Sequence, residues 1–127
     1  MPAGRPPRLR LFDILDCIRQ VEAIVAGRDA EALRADAISY RALERLLEII
    51  SEASRHISLD LTSREPAVDW KQIGNFGNVV RHAYHLVDHR IVWNIATYEM
   101  PVLKAAAARL YADVKLPADP WPDAEST

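Results

Sequence analysis

Two stripes of apolar residues, each at three- and four-residue spacing, constrain this chain more than anything else in it. The first runs Leu11, Ile14, Leu15, Ile18, Val21 and Val25; the second runs Leu43, Leu46, Leu47, Ile50, Ala53 and Ile57. Side chains return to the same side of an α-helix about every 3.6 residues, so each stripe predicts a helix with one face to bury. Gly27 stops the first. The far side of the second carries Arg41–Glu44, Arg45–Glu48 and Glu52–Arg55 at i,i+3, a solvated face with weak pair support.

The rest of the chain continues the helical pattern. Three prolines and a glycine ahead of Leu9 predict a flexible lead-in over 1–8, and the prolines and acids after Val114 predict a flexible tail over 116–127, leaving one domain over 9–115. A short helix is expected at Ala30–Ala35 and a loop at Ser58–Asp69, punctuated by Pro66. Asp69 is a suitable N-cap for a helix starting at Trp70, which turns Ile73, Phe76, Val79 and Val80 towards a core. That helix holds Gly74 and Gly77, each costing about 1 kcal/mol against alanine unless something must approach closely. The HAYHLVD segment, residues 82–88, interrupts the pattern. Asp88 then suits the cap of a further helix with Ile91, Val92 and Ile95 facing inward. Pro101 fits the first turn of a last helix, or a kink, with Leu103, Ala107, Leu110 and Val114 on its buried side. No strand pattern or internal repeat stands out, and the expected fold is an all-α bundle.

Composition agrees and narrows the function classes. Half of the 127 residues are apolar, 27% are charged and only four are glycine, a globular, helix-leaning mixture. The net charge of -2 provides no global basic field, so any contact with nucleic acid must use a local patch. Cys17 is the lone cysteine, which excludes a disulfide framework and reads as a buried structural thiol. No apolar run approaches the ~20 residues of a membrane span, and no uninterrupted apolar region follows the basic N-terminus, so the expected location is the cytoplasm.

Polar chemistry concentrates in Asn78, Arg81, His82, Tyr84, His85, Asp88, His89 and Arg90. Four readings fit this cluster. His82, His85 and His89 are spaced i, i+3, i+7, a metal-like spacing on a continuous helix, but no cysteine and no suitably placed carboxylate accompanies them. Nucleophilic catalysis lacks a recognisable nucleophile elbow. Phosphate chemistry on RNA finds its parts: a histidine to give and take protons near neutral pH, an arginine fork for phosphate, and Asn78 one turn before His82 to orient the imidazole. Cleavage by the RNA 2′-hydroxyl needs no metal beyond these groups. The fourth reading is a solvated face of a helical bundle.

Residues 69–103, DWKQIGNFGNVVRHAYHLVDHRIVWNIATYEMPVL, resemble the signature region of the HepT-like members of the HEPN family, with its His-x-Tyr, Val-Asp and Val-Trp elements. Residues 42–58, ALERLLEIISEASRHIS, resemble the family's second long helix. The similarity covers about residues 9–115. The resemblance implies a bundle that dimerises around the signature helix, and metal-independent RNA cleavage without a cofactor. It also implies a toxin role in a type VII-like toxin–antitoxin pair, whose minimal nucleotidyltransferase antitoxin silences the toxin by moving AMP onto a tyrosine. Carried over by position, His82 is the catalytic histidine, Tyr84 the modified tyrosine, and Asn78 the asparagine that follows the family's arginine. That arginine's own position is Gly77. Helical side chains lean back over the preceding turn, so Arg81 is the candidate replacement. The alternative implied by the missing arginine is a catalytically degenerate helical dimer that serves as partner of a nucleotidyltransferase.

Overall fold

A computed structural model describes residues 4–82 and 89–122, with 81 and 82 described as backbone alone. Seven α-helices occur among the described residues: α1 (Pro7–Val25), α2 (Ala30–Ala35), α3 (Ala37–Arg55), α4 (Leu59–Thr62), α5 (Trp70–His82), α6 (His89–Asn94) and α7 (Met100–Val114). A π-helical turn, Ile95–Glu99, joins α6 to α7. No strand is present among the described residues.

Both long stripes form the helices their spacing predicts. Leu11, Ile14 and Ile18 of α1 and Leu43, Leu47 and Ile50 of α3 are completely buried, and α7 adds Leu103, Ala107 and Leu110. Shortening any one of the buried leucines or isoleucines to alanine typically costs about 2–5 kcal/mol. The α1 helix packs against α3 on one side and α7 on the other, and α3 packs in turn against α5. The first helix reaches back to Pro7, at a position where a missing N–H costs nothing, rather than beginning at Leu9. Gly27, with φ of +71°, turns the chain after α1. Asp29 caps α2 by accepting the Ala32 N–H at 2.8 Å, and Asp36 caps α3 through the Ser39 N–H at 3.2 Å and hydroxyl at 2.8 Å.

Three sequence expectations are corrected by the structure. The Ser58–Asp69 stretch is not all loop: Leu59–Thr62 makes one helical turn, because Leu61 and Thr62 are drawn into the core together with Val68. Val79, expected inside, is exposed at 39%, since α5 turns its glycines and Ile73, Phe76 and Val80 inward instead. Ile91 is likewise exposed at 46%, leaving Val92 and Ile95 to face the core. Pro101 does lie in the first turn of the last helix, α7, directly after the π turn, where the Met100 N–H reaches back to the Ile95 carbonyl. A proline ring collides with the carbonyl four residues back in a regular α-helix, and a widened turn is a local way around that collision.

Beyond α7 the described residues lie against the body. The Tyr111 hydroxyl donates to the Pro120 carbonyl at 2.6 Å, and the Tyr111 ring meets Trp121 edge-on at 5.1 Å. Asp119 accepts the Leu116 N–H at 2.8 Å and lies 3.3 Å from the Arg8 guanidinium.

Candidate functional site

The helix that carries the candidate residues is built with unusual closeness to its neighbour. Asp69 caps α5, accepting the Gln72 N–H at 3.0 Å through its side chain and the Ile73 N–H at 3.0 Å through its carbonyl. Gly74 and Gly77 are both buried against α3. A Cβ at Gly74 would stand 2.9 Å from Arg55 Cγ, so the first glycine is there for close approach. Between the two glycines sits the hydroxyl of Ser51, itself 1% exposed, donating to the Gly74 carbonyl at 2.9 Å and accepting the Gly77 N–H at 3.0 Å.

With that side of α5 turned to α3, Asn75, Asn78 and Val79 are left on the outer side. Residue 82 follows Asn78 by four positions on the same helix, so its register places it on this outer face as well. Residue 81 falls by register between the side of Gly77 and that of Asn78. By backbone register alone, positions 78 and 82 thus share one side of α5, while Gly77 is buried at the α3 contact. Tyr84, His85 and Asp88, three of the polar cluster and among them the candidate tyrosine and the expected cap of α6, lie outside the described residues.

At the start of α6, His89 Nε2 stands 2.6 Å from Glu31 Oε1, which ties α6 to α2. Among the described residues no group of three side chains is arranged to hold a metal ion. Cys17 is 7% exposed, and burial, reinforced by Asp16 and Asp13, pushes its thiol up to about 11. It stays protonated at neutral pH and is no nucleophile.

Two relationships escaped the sequence reading. The Glu31–His89 contact joins residues far apart in the chain, and nothing local announces it. Ser51 did leave a signal: it is a hydroxyl beside Ile50 and next to the apolar stripe, on a helix that has to meet one bearing two glycines.

Residues 14–110 match the sequence profile of the family described as ribonuclease HepT-like. The chain belongs to that family. The bundle is thus HEPN-like. Among HepT-like relatives, a Methanocaldococcus jannaschii protein named "Putative RNase" is 32% identical over 94 residues, covering 74% of this chain and 86% of the relative. A Thermococcus cleftensis protein named "Probable ribonuclease HepT" is 31% identical over 100 residues, covering 79% of this chain and 91% of the relative. No solved structure matches significantly. No helix among the described residues is long and apolar enough to cross a membrane.

Proposed function

We propose that this chain is the ribonuclease of a type VII-like toxin–antitoxin pair, acting in the cytoplasm as a metal-independent RNA endonuclease. What supports the reading is that exposed Asn78 and position 82 stand one turn apart on α5, in a chain whose residues 14–110 match a ribonuclease family. His82 takes the proton of an RNA 2′-hydroxyl, whose oxygen attacks the adjacent phosphorus. The bond to the 5′-oxygen breaks, that oxygen receives a proton, and a 2′,3′-cyclic phosphate remains. Asn78 orients the imidazole, and Arg81 clamps the phosphate with paired charge-assisted hydrogen bonds.

The active form in this reading is a homodimer around α5, which brings two copies of His82 to one cleft and supplies the second proton carrier. The exposed Val79 and Ile91 give such a contact its apolar part. Control comes from a minimal nucleotidyltransferase antitoxin that transfers AMP to Tyr84. The test is cleavage by the purified protein in EDTA, on RNA and on the same sequence with 2′-O-methyl groups. Cutting of the first alone, with cyclic phosphate ends, supports the mechanism; no cutting, or cutting abolished by EDTA, overturns it. Sedimentation of only a 14.3 kDa monomer at micromolar concentration removes the dimer.

A second reading has one observation in its favour. Gly77 stands where the resemblance expects an arginine, and it is buried against α3. On that reading the chain is a degenerate helical dimer whose role is to partner the nucleotidyltransferase. Stable complex formation without RNA cleavage selects it.

A further inference from the structure

We propose that Ser51 is a positioning residue for the site on α5, fixing the turn that leads into positions 78 and 82. The inference rests on the reading of Asn78 and His82 as that site, and it names a residue on a different helix.

The geometry separates Ser51 from an ordinary buried serine. A serine inside a helix usually spends its hydroxyl on its own backbone one turn back, as Ser54 does in the same helix, donating to the Ile50 carbonyl at 2.8 Å. Ser51 does not. Its hydroxyl leaves α3 and makes both of its bonds to α5, at Gly74 and Gly77. A hydroxyl that donates and accepts across an interface defines rotation and translation together, whereas apolar contact alone tolerates sliding. The two bonds bracket a single turn, and Asn78 is the next residue after it. The glycines make the approach sterically available, and the hydroxyl makes it specific. Rotating α5 by even part of a residue would swing Asn78 and residue 82 relative to anything bound on the outer face. Misplacement of catalytic groups by about 1 Å lowers rates by up to ~10²-fold.

The experiment compares Ser51→Ala with Ser54→Ala in the full chain. Both remove one buried hydroxyl from α3, but only the first removes the link to α5. Each variant is measured for kcat and KM on RNA, for thermal stability, and for the His82 imidazole resonances by NMR as a function of pH. The expected result is a fall in kcat of roughly 10-fold or more in Ser51→Ala with KM within about twofold, and displaced His82 resonances. Ser54→Ala should keep both near wild type, whatever stability it loses. If both variants lose activity only as their folded fraction falls, with His82 unmoved, Ser51 is structural and the proposal is overturned. Should Ser51→Ala fail to fold, Ser51→Cys gives a second check, since it nearly keeps the volume but bonds only weakly: unchanged kcat with unmoved His82 resonances overturns the proposal, and a fall in kcat with displaced resonances supports it. If the wild type cuts no RNA, the ribonuclease reading falls, and the His82 resonances still decide the role of Ser51.

Discussion

Arg109 of α7 grips Glu65, ahead of α5, with two nitrogens: Nε at 3.1 Å and Nη2 at 2.6 Å from the same carboxylate oxygen. The pair ties the stretch ahead of α5 to the last helix of the bundle. Its hydrogen bonds and charge hold the Glu65 carboxyl below its ordinary value of 4.5. The unfolded chain therefore binds the proton more readily in that range. The stability from this pair is present above about pH 4.5 and is lost as pH falls through the lowered value. Urea unfolding at pH 7 and near pH 3 should show a smaller acid loss in Glu65→Gln than in wild type. Equal losses would mean that the pair contributes nothing.

Gly77→Arg restores the residue type that the family resemblance expects, yet it should lower stability by about 1–3 kcal/mol. A long charged side chain would replace a glycine buried at the α3 contact, beside the Ser51 hydroxyl at 3.0 Å. The gain in helix propensity, about 1 kcal/mol, offsets only part of this. Denaturant midpoints measure it, and an unchanged midpoint would mean the contact opens without cost.

Arg81 should carry the phosphate role in place of residue 77. Arg81→Ala should slow RNA cleavage at least ~10-fold, since a charge-assisted hydrogen bond contributes about 1.5–3 kcal/mol, and Arg81→Lys should recover only part of the loss. A neutral Arg81→Ala in a cleaving protein assigns the clamp elsewhere.

His82→Ala should lower cleavage by ~10²–10⁴-fold, the usual effect of removing a general acid or base, while the melting temperature stays close to wild type. Cleavage at the wild-type rate would remove His82 from the chemistry. A large fall in melting temperature would make it a structural residue.

Tyr84 should gain an adenylyl group when the protein is co-expressed with its nucleotidyltransferase, and the modified protein should not cut RNA. The added phosphate repels the RNA backbone and can pair with Arg81. Mass spectrometry of the Tyr84 peptide decides it: no added AMP there removes this mode of control.

The bundle was legible in the sequence because its information is local. Leu11 to Val21 and Leu43 to Ala53 announce their helices by spacing alone, and Asp69 announces the start of α5 by its chemistry. What was not legible depends on which neighbour wins a surface. Val79 and Val80 look equally suited to a core, and only the close approach of α3 at Gly74 and Gly77 puts Val80 inside. Leu61 sits in a stretch that reads as loop until the core it fills is known. The prolines after Val114 suggest a tail without partners, whereas Tyr111 offers Pro120 and Trp121 a landing place that no local pattern encodes. At the site, the pairing of residues 78 and 82 follows from spacing, but the burial of Gly77 needed the second helix.

The π turn before Pro101 has a consequence for how this chain tolerates change in length. A turn closed from Met100 back to Ile95 contains one residue more than a regular turn, yet Val92 and Leu103 on either side of it both still reach the core. The surplus residue has been absorbed at one point without throwing the helix out of phase with its neighbours. Deleting one residue within 95–99 and replacing Pro101 by alanine should therefore give an unbroken α-helix with both flanking faces in place. The same deletion in the middle of α3 would rotate half of that helix by about 100° and carry its apolar stripe off the core. The segment 95–99 is thus a splice point, where the protein can lose a residue and keep its shape.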